Sequence, residues 1–278
     1  MQTQTLEANQ ALAAQIARVA EQNQELETLN FALRRNLDQS VGLCLTTLDA
    51  FWPVLSNQAH RVRELCRAMA EKLQLDPARR QVLDIAALLH DIGLIEVHRD
   101  VIRKWRERPE LLNGNELSRI QHHPVLGQEL VGFVANLENV GQTIRAHHER
   151  FDGTGYPDGL MGNNIPWLAR LLTIAVEYST FPYEYAAPEF IRANSGTAFD
   201  PEAVRIFLRS LPHATLPRRQ REVLLSELRA GMVLADGIYS SSGILLVSEG
   251  QTLSEPYIER LRSGDRVDPL APSLIVYV

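Results

Sequence analysis

Two adjacent histidines, His147 and His148, lie beside a glycine-rich turn, and a second pair, His90-Asp91, lies upstream. A neutral imidazole is the commonest protein ligand for Zn, Fe, Mn or Ni, and a carboxylate from another segment is the usual co-ligand. A single histidine is better explained as a core residue whose hydrogen bonds are satisfied. Two neighbouring histidines together with a distant His-Asp pair are not explained in this way. These residue types therefore predict a metal site.

Helices must bring these residues together. From about residue 43 to residue 211 the apolar pattern is helical, and turn signals separate the segments. Asp76 is suited to an N-cap and Pro77 to the first helical position. We therefore predict a helix that starts there, ends in His90-Asp91 and delivers that pair to the core.

Three motifs occur in the order typical of one family of bacterial signalling proteins. They are Ala86-Ala87-Leu88-Leu89-His90-Asp91-Ile92-Gly93, His123-Pro124-x-x-Gly127 and the run from His147 to Pro157. Over about residues 50 to 210 the chain resembles the HD-GYP family. The resemblance implies a helical HD-type phosphohydrolase fold, whose active members hydrolyse cyclic di-GMP at a bi- or trinuclear metal centre.

The resemblance also assigns roles to five side chains. Asp91 would bridge two cations through its two oxygens, and His90 would serve one of them. His123, His147 and His148 would serve the other cation. His90 and Asp91 are the expected catalytic residues. The implied cofactor is a divalent transition metal, Fe or Mn, with one tight site.

Three positions depart from the family pattern. Gln58 stands where a ligand histidine is expected, Val176 where a ligand aspartate is expected, and Leu94 where a lysine would bind the scissile phosphate. An amide is a weaker metal donor than imidazole, and the two aliphatic side chains carry neither charge nor donor. His60 and Glu177 are close in sequence but rotated by about 200 and about 100 degrees around a helix. We expect His60 to point elsewhere and Glu177 to be a poor substitute.

Two further departures affect the surroundings of the site. Ser179 replaces a usual aspartate, and the segment from Lys104 to Glu116, with Trp105 and Arg106-Glu107-Arg108, is a few residues longer than its counterpart. The longer segment is expected to shape the substrate groove differently.

The family's Gly-Tyr-Pro loop is retained as Asp152-Gly153-Thr154-Gly155-Tyr156-Pro157. Its glycines permit positive φ, its proline stiffens the exit, and its tyrosine offers a large face at low entropic cost. We expect a rigid loop that recognises a substrate or a protein partner. The alternative is a surface turn that only joins two helices.

The N-terminal segment carries a heptad repeat formed by Leu12, Ile16, Val19, Asn23, Leu26, Asn30, Leu33 and Leu37. This spacing keeps one seam toward a partner helix, and asparagine at a positions favours two strands. We predict a signalling helix over residues 1–42 that forms a parallel coiled-coil homodimer through residues 8–38. The alternative is an amphipathic helix that packs on its own domain.

The chain changes character after the helical domain at 43–211. Residues 212–221, rich in Pro and Arg, are predicted to be a linker, and residues 222–278 show short apolar runs with Gly/Ser turns that are typical of β-hairpins. A short helix near Pro256 to Arg262 and a last strand from Ser273 complete this module, whose default role is packing or partner binding. The predicted fold class is mainly α: a coiled-coil helix, an HD-type all-α domain and a small β-rich C-terminal domain.

Composition sets the remaining limits. The 278-residue chain has a formal charge of −6 and no basic block, which argues against a nucleic-acid polymer as partner. Cys44 and Cys66 lack metal-type spacing, which fits a reducing compartment. No apolar run reaches the ~18 residues of a membrane span, and no signal pattern is present. We expect a cytoplasmic protein.

Two functions stay open on the sequence. The first is a metal-dependent phosphodiesterase that opens cyclic di-GMP to a linear dinucleotide. The second is a weakly active or inactive signalling protein that keeps the fold, binds a metal, a nucleotide such as cyclic di-GMP or a partner protein at the Gly-Tyr-Pro loop, and transmits a signal through the N-terminal helix. The departures at Gln58, Val176 and Leu94 favour the second function, because loss of single catalytic groups often costs orders of magnitude in rate.

Overall fold

A computed structural model describes residues 2–134, 137–265, 270 and 273–278. The chain divides into two compact units, Met1–Leu43 and Cys44–Val278. Helix α1 (Gln2–Phe51) supplies the first unit, and its last turns belong to the second. Among the helices of the described residues, none is long and apolar enough to span a membrane.

The central part of the second unit is helical, as the sequence predicts. Its helices are α2 (Pro53–Lys72), α3 (Pro77–Leu89), α4 (Arg99–Glu107), α5 (Gly114–Gly132), α6 (Glu138–Arg145), α7 (Trp167–Thr180), α8 (Ala187–Ala193) and α9 (Pro201–Ser210). The mainly α fold class is therefore confirmed. The Asp76 side chain accepts a hydrogen bond from the Arg79 amide at 3.0 Å and caps α3, so this helix begins and ends where its sequence signals predict.

Helix α2 is the centre of the helical core. It packs against α3, α7 and α9, and α3 packs in turn against α6 and α7. The side of α2 that carries Leu55, Val62, Leu65 and Met69 is almost fully buried. Burial of one such side chain contributes about 1.5–3 kcal/mol, so the helices that carry the predicted ligands are held by a continuous apolar core.

A backbone-to-backbone contact joins the segment after α3 to α5. Ile92–Glu96 forms a 3-10 helix, and a Cβ atom on Gly93 would lie 2.1 Å from the carbonyl oxygen of His123 and 2.9 Å from the amide nitrogen of Gly127. Only glycine fits this approach. The contact brings Asp91 and His123 to adjoining segments of chain.

The C-terminal module combines short strands with one helix. Its elements are β1 (Gln220–Leu224), β2 (Val233–Leu234), β3 (Ile238–Tyr239), β4 (Leu245–Val247), α10 (Glu255–Asp265) and β5 (Ser273–Tyr277). One antiparallel sheet has the order β1-β5-β2, and β3 and β4 form a separate hairpin. The β-rich module is confirmed, but β1 begins at Gln220, inside the segment predicted as a linker.

Polar contacts tie this module to the helical domain. Arg103 of α4 forms an ion pair with Glu222 of β1 at 2.9 Å. Arg61 of α2 donates to the carbonyl oxygen of Pro217 and pairs with Glu184 at 2.9 Å. The segment before β1 is therefore packed on the helices.

Helix α1 is continuous through the whole heptad segment, past Gly42. The apolar seam of that segment is exposed in the single chain, with exposed fractions of 56% for Leu12, 62% for Ile16 and 55% for Leu26. The long helix agrees with the sequence. The coiled-coil dimer stays a prediction.

Replacement of Gly93 by alanine is expected to destabilise the fold by about 3 kcal/mol or more, because backbone atoms must move to admit the methyl group. Urea unfolding measures the change in free energy. Gly132→Ala is the control, since nothing lies within 4 Å of its added Cβ, and its effect should stay within about 1 kcal/mol. Equal stability of the two variants would contradict the close contact.

Candidate metal centre

Four potential metal ligands from three segments converge in the helical core. They are Asp91 after α3, His123 in α5, and His147 and His148 after α6, and one ligand atom of each lies within 4.8 Å of the others. The fifth predicted ligand, His90, lies next to this group, with its Nε2 3.4 Å from Oδ2 of Asp91. Helix packing thus brings the sequence motifs to one place.

Backbone carbonyl groups fix the orientation of three of the imidazoles. The Nδ1 atoms of His90, His123 and His147 lie 2.9, 2.6 and 2.6 Å from the carbonyl oxygen three residues earlier. A carbonyl oxygen can only accept a hydrogen bond, so each Nδ1 carries the proton. In His123 and His147, Nε2 is then left as the atom with a free lone pair, which is the arrangement typical of metal-ligating histidines.

The local sequence explains where these carbonyl groups come from. His90 and His147 follow the ends of α3 and α6, where the last carbonyls lack a helical partner. His123 lies inside α5, but Pro124 has no amide hydrogen and leaves the carbonyl of Ile120 without its usual donor. That carbonyl accepts from His123 instead. The proline in the His-Pro motif thus helps to orient the ligand.

The donor set fits a bound cation. The Nε2 atoms of His123 and His147 are 3.4 Å apart, and with both Nδ1 atoms protonated two lone pairs face each other. The Nε2 of His123 is also 3.5 Å from Oδ1 of Asp91, and the Nε2 of His148 is buried without a hydrogen-bond partner. Acceptor atoms that converge in this way repel each other unless a cation lies among them. Three imidazoles and one carboxylate match the preference of a divalent transition metal.

Burial keeps the imidazoles in the form that binds metal. It lowers the pKa of His123 to about 4. Burial, together with the neighbouring imidazoles, also holds the pKa values of His147 and His148 well below their ordinary value. All three rings are therefore neutral near pH 7, with lone pairs available to a metal.

Asp91 faces two different environments. Its Oδ1 lies toward His123, whereas its Oδ2 lies 3.4 Å from Nε2 of His90 and 3.2 Å from Nη2 of Arg106. Burial by itself raises the pKa of Asp91, but His90, His123 and Arg106 outweigh this and hold the pKa well below its usual range. The carboxylate is charged, and its second oxygen is shared with a guanidinium group.

The three positions that depart from the family pattern lie in different surroundings. Gln58 is buried, and its Oε1 accepts a hydrogen bond from Nη1 of Arg106 at 2.5 Å. Val176 lines the same cavity, of about 260 Å³, as Asp91 and Arg106. Leu94 is fully buried in the apolar core and does not line this cavity. None of these three side chains brings a charged ligand to the cavity.

Neither neighbouring substitute joins the cluster of ligand atoms. Glu177 lines the cavity, and burial raises its pKa, but within the described part of the chain it is not one of the groups that converge on Asp91. His60 lies outside the cavity lining, and burial together with the charge of Arg63 lowers its pKa. His60 thus points elsewhere, as the sequence predicts, whereas Glu177 lines the cavity without joining the ligand atoms.

Two cavity residues, Trp105 and Arg106, were not predicted as site residues. Both come from α4, and the ring of Trp105 lies 6.0 Å from that of His123 and 5.9 Å from that of His148, measured between centroids. The only sequence signal was the extra length of this segment and its aromatic and basic residues. That signal indicates a groove of different shape, but it does not predict that Trp105 and Arg106 contact the site.

The Gly-Tyr-Pro loop packs onto the ligands. The ring of Tyr156 stacks on His148 with a centroid distance of 4.7 Å, and burial raises the pKa of its hydroxyl. A Cβ atom on Gly155 would lie 2.3 Å from the amide nitrogen of Arg150, so this position requires glycine. Glu149, which was not predicted as a site residue either, accepts hydrogen bonds from the Asp158 and Leu160 amides at 2.7 and 3.0 Å. The residue after the two histidines thus holds the far end of the loop.

The start of the loop is organised by Asp152. Its Oδ1 accepts hydrogen bonds from the amide and the hydroxyl of Thr154 at 3.0 and 2.6 Å, and its Oδ2 pairs with Arg150 at 2.9 Å. Gly153 has φ of +80°, and the peptide bond between Tyr156 and Pro157 is cis. These contacts describe an ordered loop rather than a loose connection.

The fold and the cluster define a helical domain with a buried site for a divalent metal. The family model described as "HD domain" matches residues 45–202, which is more than half of the chain. The chain belongs to the HD domain family, and this confirms the resemblance indicated by its motifs.

Individual relatives carry names from cyclic-dinucleotide signalling. The chain is 36% identical over 160 residues to the "Cyclic di-GMP phosphodiesterase response regulator RpfG" of Xanthomonas campestris pv. campestris, a match that covers 54% of this chain and 41% of the relative. It is 29% identical over 189 residues to the "3'3'-cGAMP-specific phosphodiesterase 3" of Vibrio cholerae serotype O1, covering 63% and 40%. The chain therefore spans about two fifths of the length of these relatives.

Among solved structures, the chain is similar to "Bd1817, a HDG"Y"P protein from Bdellovibrio bacteriovorus". The TM-score is 0.49 at 23% sequence identity, and the match covers 57% of this chain and 52% of the other.

Replacement of His123 by alanine is expected to weaken metal binding by more than the ~10–100-fold that loss of an outer-shell partner costs, because a direct ligand is removed. Titration of the apo-protein with Mn²⁺, followed by calorimetry, measures the dissociation constant. His122→Ala is the matched control, since His122 is exposed and outside the cluster. If both variants bind Mn²⁺ like the unmodified protein, the cluster is not the metal site.

Proposed function

We propose that this protein is a signal-transduction member of the HD-GYP type that holds one divalent transition metal, Fe or Mn, in a tight site. In this proposal it is a weakly active or inactive relative of the cyclic di-GMP phosphodiesterases. It acts by binding the metal together with a nucleotide or a protein partner. The names of its relatives support the nucleotide class.

The observation that carries the proposal is the asymmetry around Asp91. On its Oδ1 side, three neutral imidazoles from His123, His147 and His148 converge with the carboxylate. The other expected ligand positions, which line the same cavity, hold an amide, Gln58, and an aliphatic side chain, Val176; Gln58 accepts from the arginine that binds Oδ2. The first side suits a transition metal, whereas the second offers only His90 and a shared oxygen.

The chemistry of such a site is limited but not absent. The imidazoles of His123, His147 and His148 would hold a divalent cation, which would supply Lewis-acid chemistry toward a phosphoryl oxygen. The chain itself holds the ligands in their neutral form and places Tyr156 against His148. With Leu94 buried away from the cavity, no lysine at this position meets the phosphate. Slow turnover or binding without turnover is the expected behaviour.

The alternative is an active metal-dependent phosphodiesterase that hydrolyses cyclic di-GMP. The names of the curated relatives favour it, and Glu177 in the cavity wall would have to join the ligands for it to hold. The two proposals differ in metal count and in rate, so one preparation distinguishes them.

The full chain, purified with Fe or Mn, is expected to hold about one cation per chain and to hydrolyse cyclic di-GMP far more slowly than ~1 per second, the low end of ordinary enzymatic rates. Elemental analysis gives the metal count, and chromatography of the nucleotides gives the rate, with 3'3'-cGAMP assayed in parallel. The His122→Ala variant serves as a control for surface histidines. Two cations per chain together with turnover at ~1 per second or faster would replace this proposal by the alternative.

The exposed heptad seam supports a parallel homodimer as the form in which the protein signals. Deletion of residues 8–38 is expected to give a monomer, because it removes the apolar seam that includes Leu12, Ile16 and Leu26. Light scattering measures the mass of both forms. A truncated protein that is still dimeric would place the main interface elsewhere.

A further inference from the structure

The cation already present beside Asp91 is an arginine. The side chain of Arg106 is 23% exposed, and its two terminal nitrogens reach Oδ2 of Asp91 at 3.2 Å and Oε1 of Gln58 at 2.5 Å. Asp91 and Gln58 are themselves buried. An arginine side chain stays protonated in proteins, so a full positive charge lies on the Oδ2 side of the site.

We propose that the guanidinium group of Arg106 is the resident second cation of this centre and takes the place of a second metal ion. The inference rests on the proposed function, because it assumes that the imidazole side of Asp91 holds the one metal. It assigns to α4 a role at the site that neither the family resemblance nor the ligand motifs provide.

The charges around Asp91 support this assignment. A buried carboxylate needs compensation by cations or hydrogen-bond donors on both oxygens. Toward Oδ1 the protein offers only neutral imidazoles, which suit a metal ion. Toward Oδ2 it offers Arg106, so a second metal would have to share that oxygen with a positive charge.

Gln58 fits a guanidinium better than it fits a metal. A primary amide oxygen is a good acceptor for an arginine N–H group but a weak ligand for a transition metal. A neutral histidine at this position would present one ring nitrogen and no carbonyl oxygen. The change at position 58 and the presence of Arg106 are therefore complementary: the same side chain that fails as a ligand holds the arginine.

Two indole rings flank the guanidinium. The Cζ atom of Arg106 lies 6.0 Å from the ring centroid of Trp52 and 5.9 Å from that of Trp105. Contacts of this kind between a cation and an aromatic face are attractive and stronger when shielded from water. Trp52 is buried, so the guanidinium lies in a built site and not at the end of a free surface side chain.

The helix that carries Arg106 is held by two ion pairs one turn before it. Arg103 pairs with Glu222 of the C-terminal module at 2.9 Å, and Lys104 pairs with Glu116 at the start of α5 at 2.6 Å. Both terminal nitrogens of Arg106 are engaged, one by Asp91 and one by Gln58. Arg106 is therefore held at the Oδ2 side of the carboxylate by its acceptors and by its helix.

The test restores the missing ligands with and without the arginine. In the full chain, Gln58→His plus Val176→Asp is expected to leave the Mn²⁺ count at about one per chain, because the guanidinium keeps the second position. Adding Arg106→Gln to this pair is expected to raise the count to about two. Arg106→Lys in the same background keeps the charge and should hold the count at about one. Elemental analysis after removal of loosely bound metal gives each number.

Arg108→Ala in the ligand-restored background is the matched control, because Arg108 is exposed and lies two residues from Arg106. It should not change the count. If the ligand-restored protein already holds two Mn²⁺ ions with Arg106 present, or still holds one after Arg106→Gln, the inference is overturned. These results leave the proposed function intact. That proposal is tested separately, by the metal count and the turnover rate of the unmodified protein.

A measurement on the single variant covers the case in which the triple variant does not fold. Arg106→Gln leaves Oδ2 of Asp91 without its cation, so millimolar Mn²⁺ should raise its Tm more than it raises that of the unmodified protein or of Arg108→Ala. An arginine that only supported the packing of α4 would lower Tm without any such metal response. Equal Mn²⁺ responses of the three proteins would overturn the assignment.

Discussion

The buried carboxylate of Asp91 is the group on which the arrangement of this centre depends. It is 3% exposed, and an ionised carboxylate in such a place is unfavourable unless opposite charges or donors surround it. The fold provides one opposite charge, Arg106 of helix α4, which lies against Oδ2. On the Oδ1 side lies the imidazole of His123 in α5, so the two oxygens acquire different chemistry.

The imidazoles are prepared for metal binding by backbone groups rather than by acidic partners. Carbonyl oxygens at helix ends lack their α-helical partners, and Nδ1 of His90 and of His147 each lies against one of them; the carbonyl of Ile144 also accepts from the His147 amide at 3.3 Å. Pro124 creates the same situation within α5 for His123. Burial keeps the rings of His123 and His147 neutral, and the carbonyl groups select the tautomer. Among the described residues, Asp91 is the carboxylate that converges with the imidazoles, whereas Glu177 lines the same cavity without joining them.

The sequence predicts those features that local pattern determines. Helix α3 has a cap and a proline at its start, and its end carries the His-Asp pair, so both its bounds and its role follow from residues close in the chain. The ligand motifs and the loss of donor groups at Gln58 and Val176 are equally visible. The contact between Arg106 and Gln58 is not, because it joins positions 48 residues apart and depends on how α4 lies against α2. No periodicity or motif encodes that packing. The extra length of the segment from Lys104 to Glu116 indicates that the groove has a different shape, but it does not indicate which residues the segment contacts.

Two polar contacts connect the C-terminal part of the chain to the elements that form the walls of the cavity. Arg103 of α4 pairs with Glu222, which is 6% exposed in its side chain, and Arg219 donates to the carbonyl oxygen of Phe181 directly after α7 at 2.9 Å. Helix α4 carries Arg106, and α7 carries Val176 and Glu177. A guanidinium can replace a metal ion only if its helix is held in place. An arginine side chain has many rotamers, and an unrestrained one would lose conformational entropy when it formed the contact. Arg219 and the module that follows it thus contact α4 and the residue after α7 from outside the core, and this gives their packing a consequence for the chemistry at Asp91.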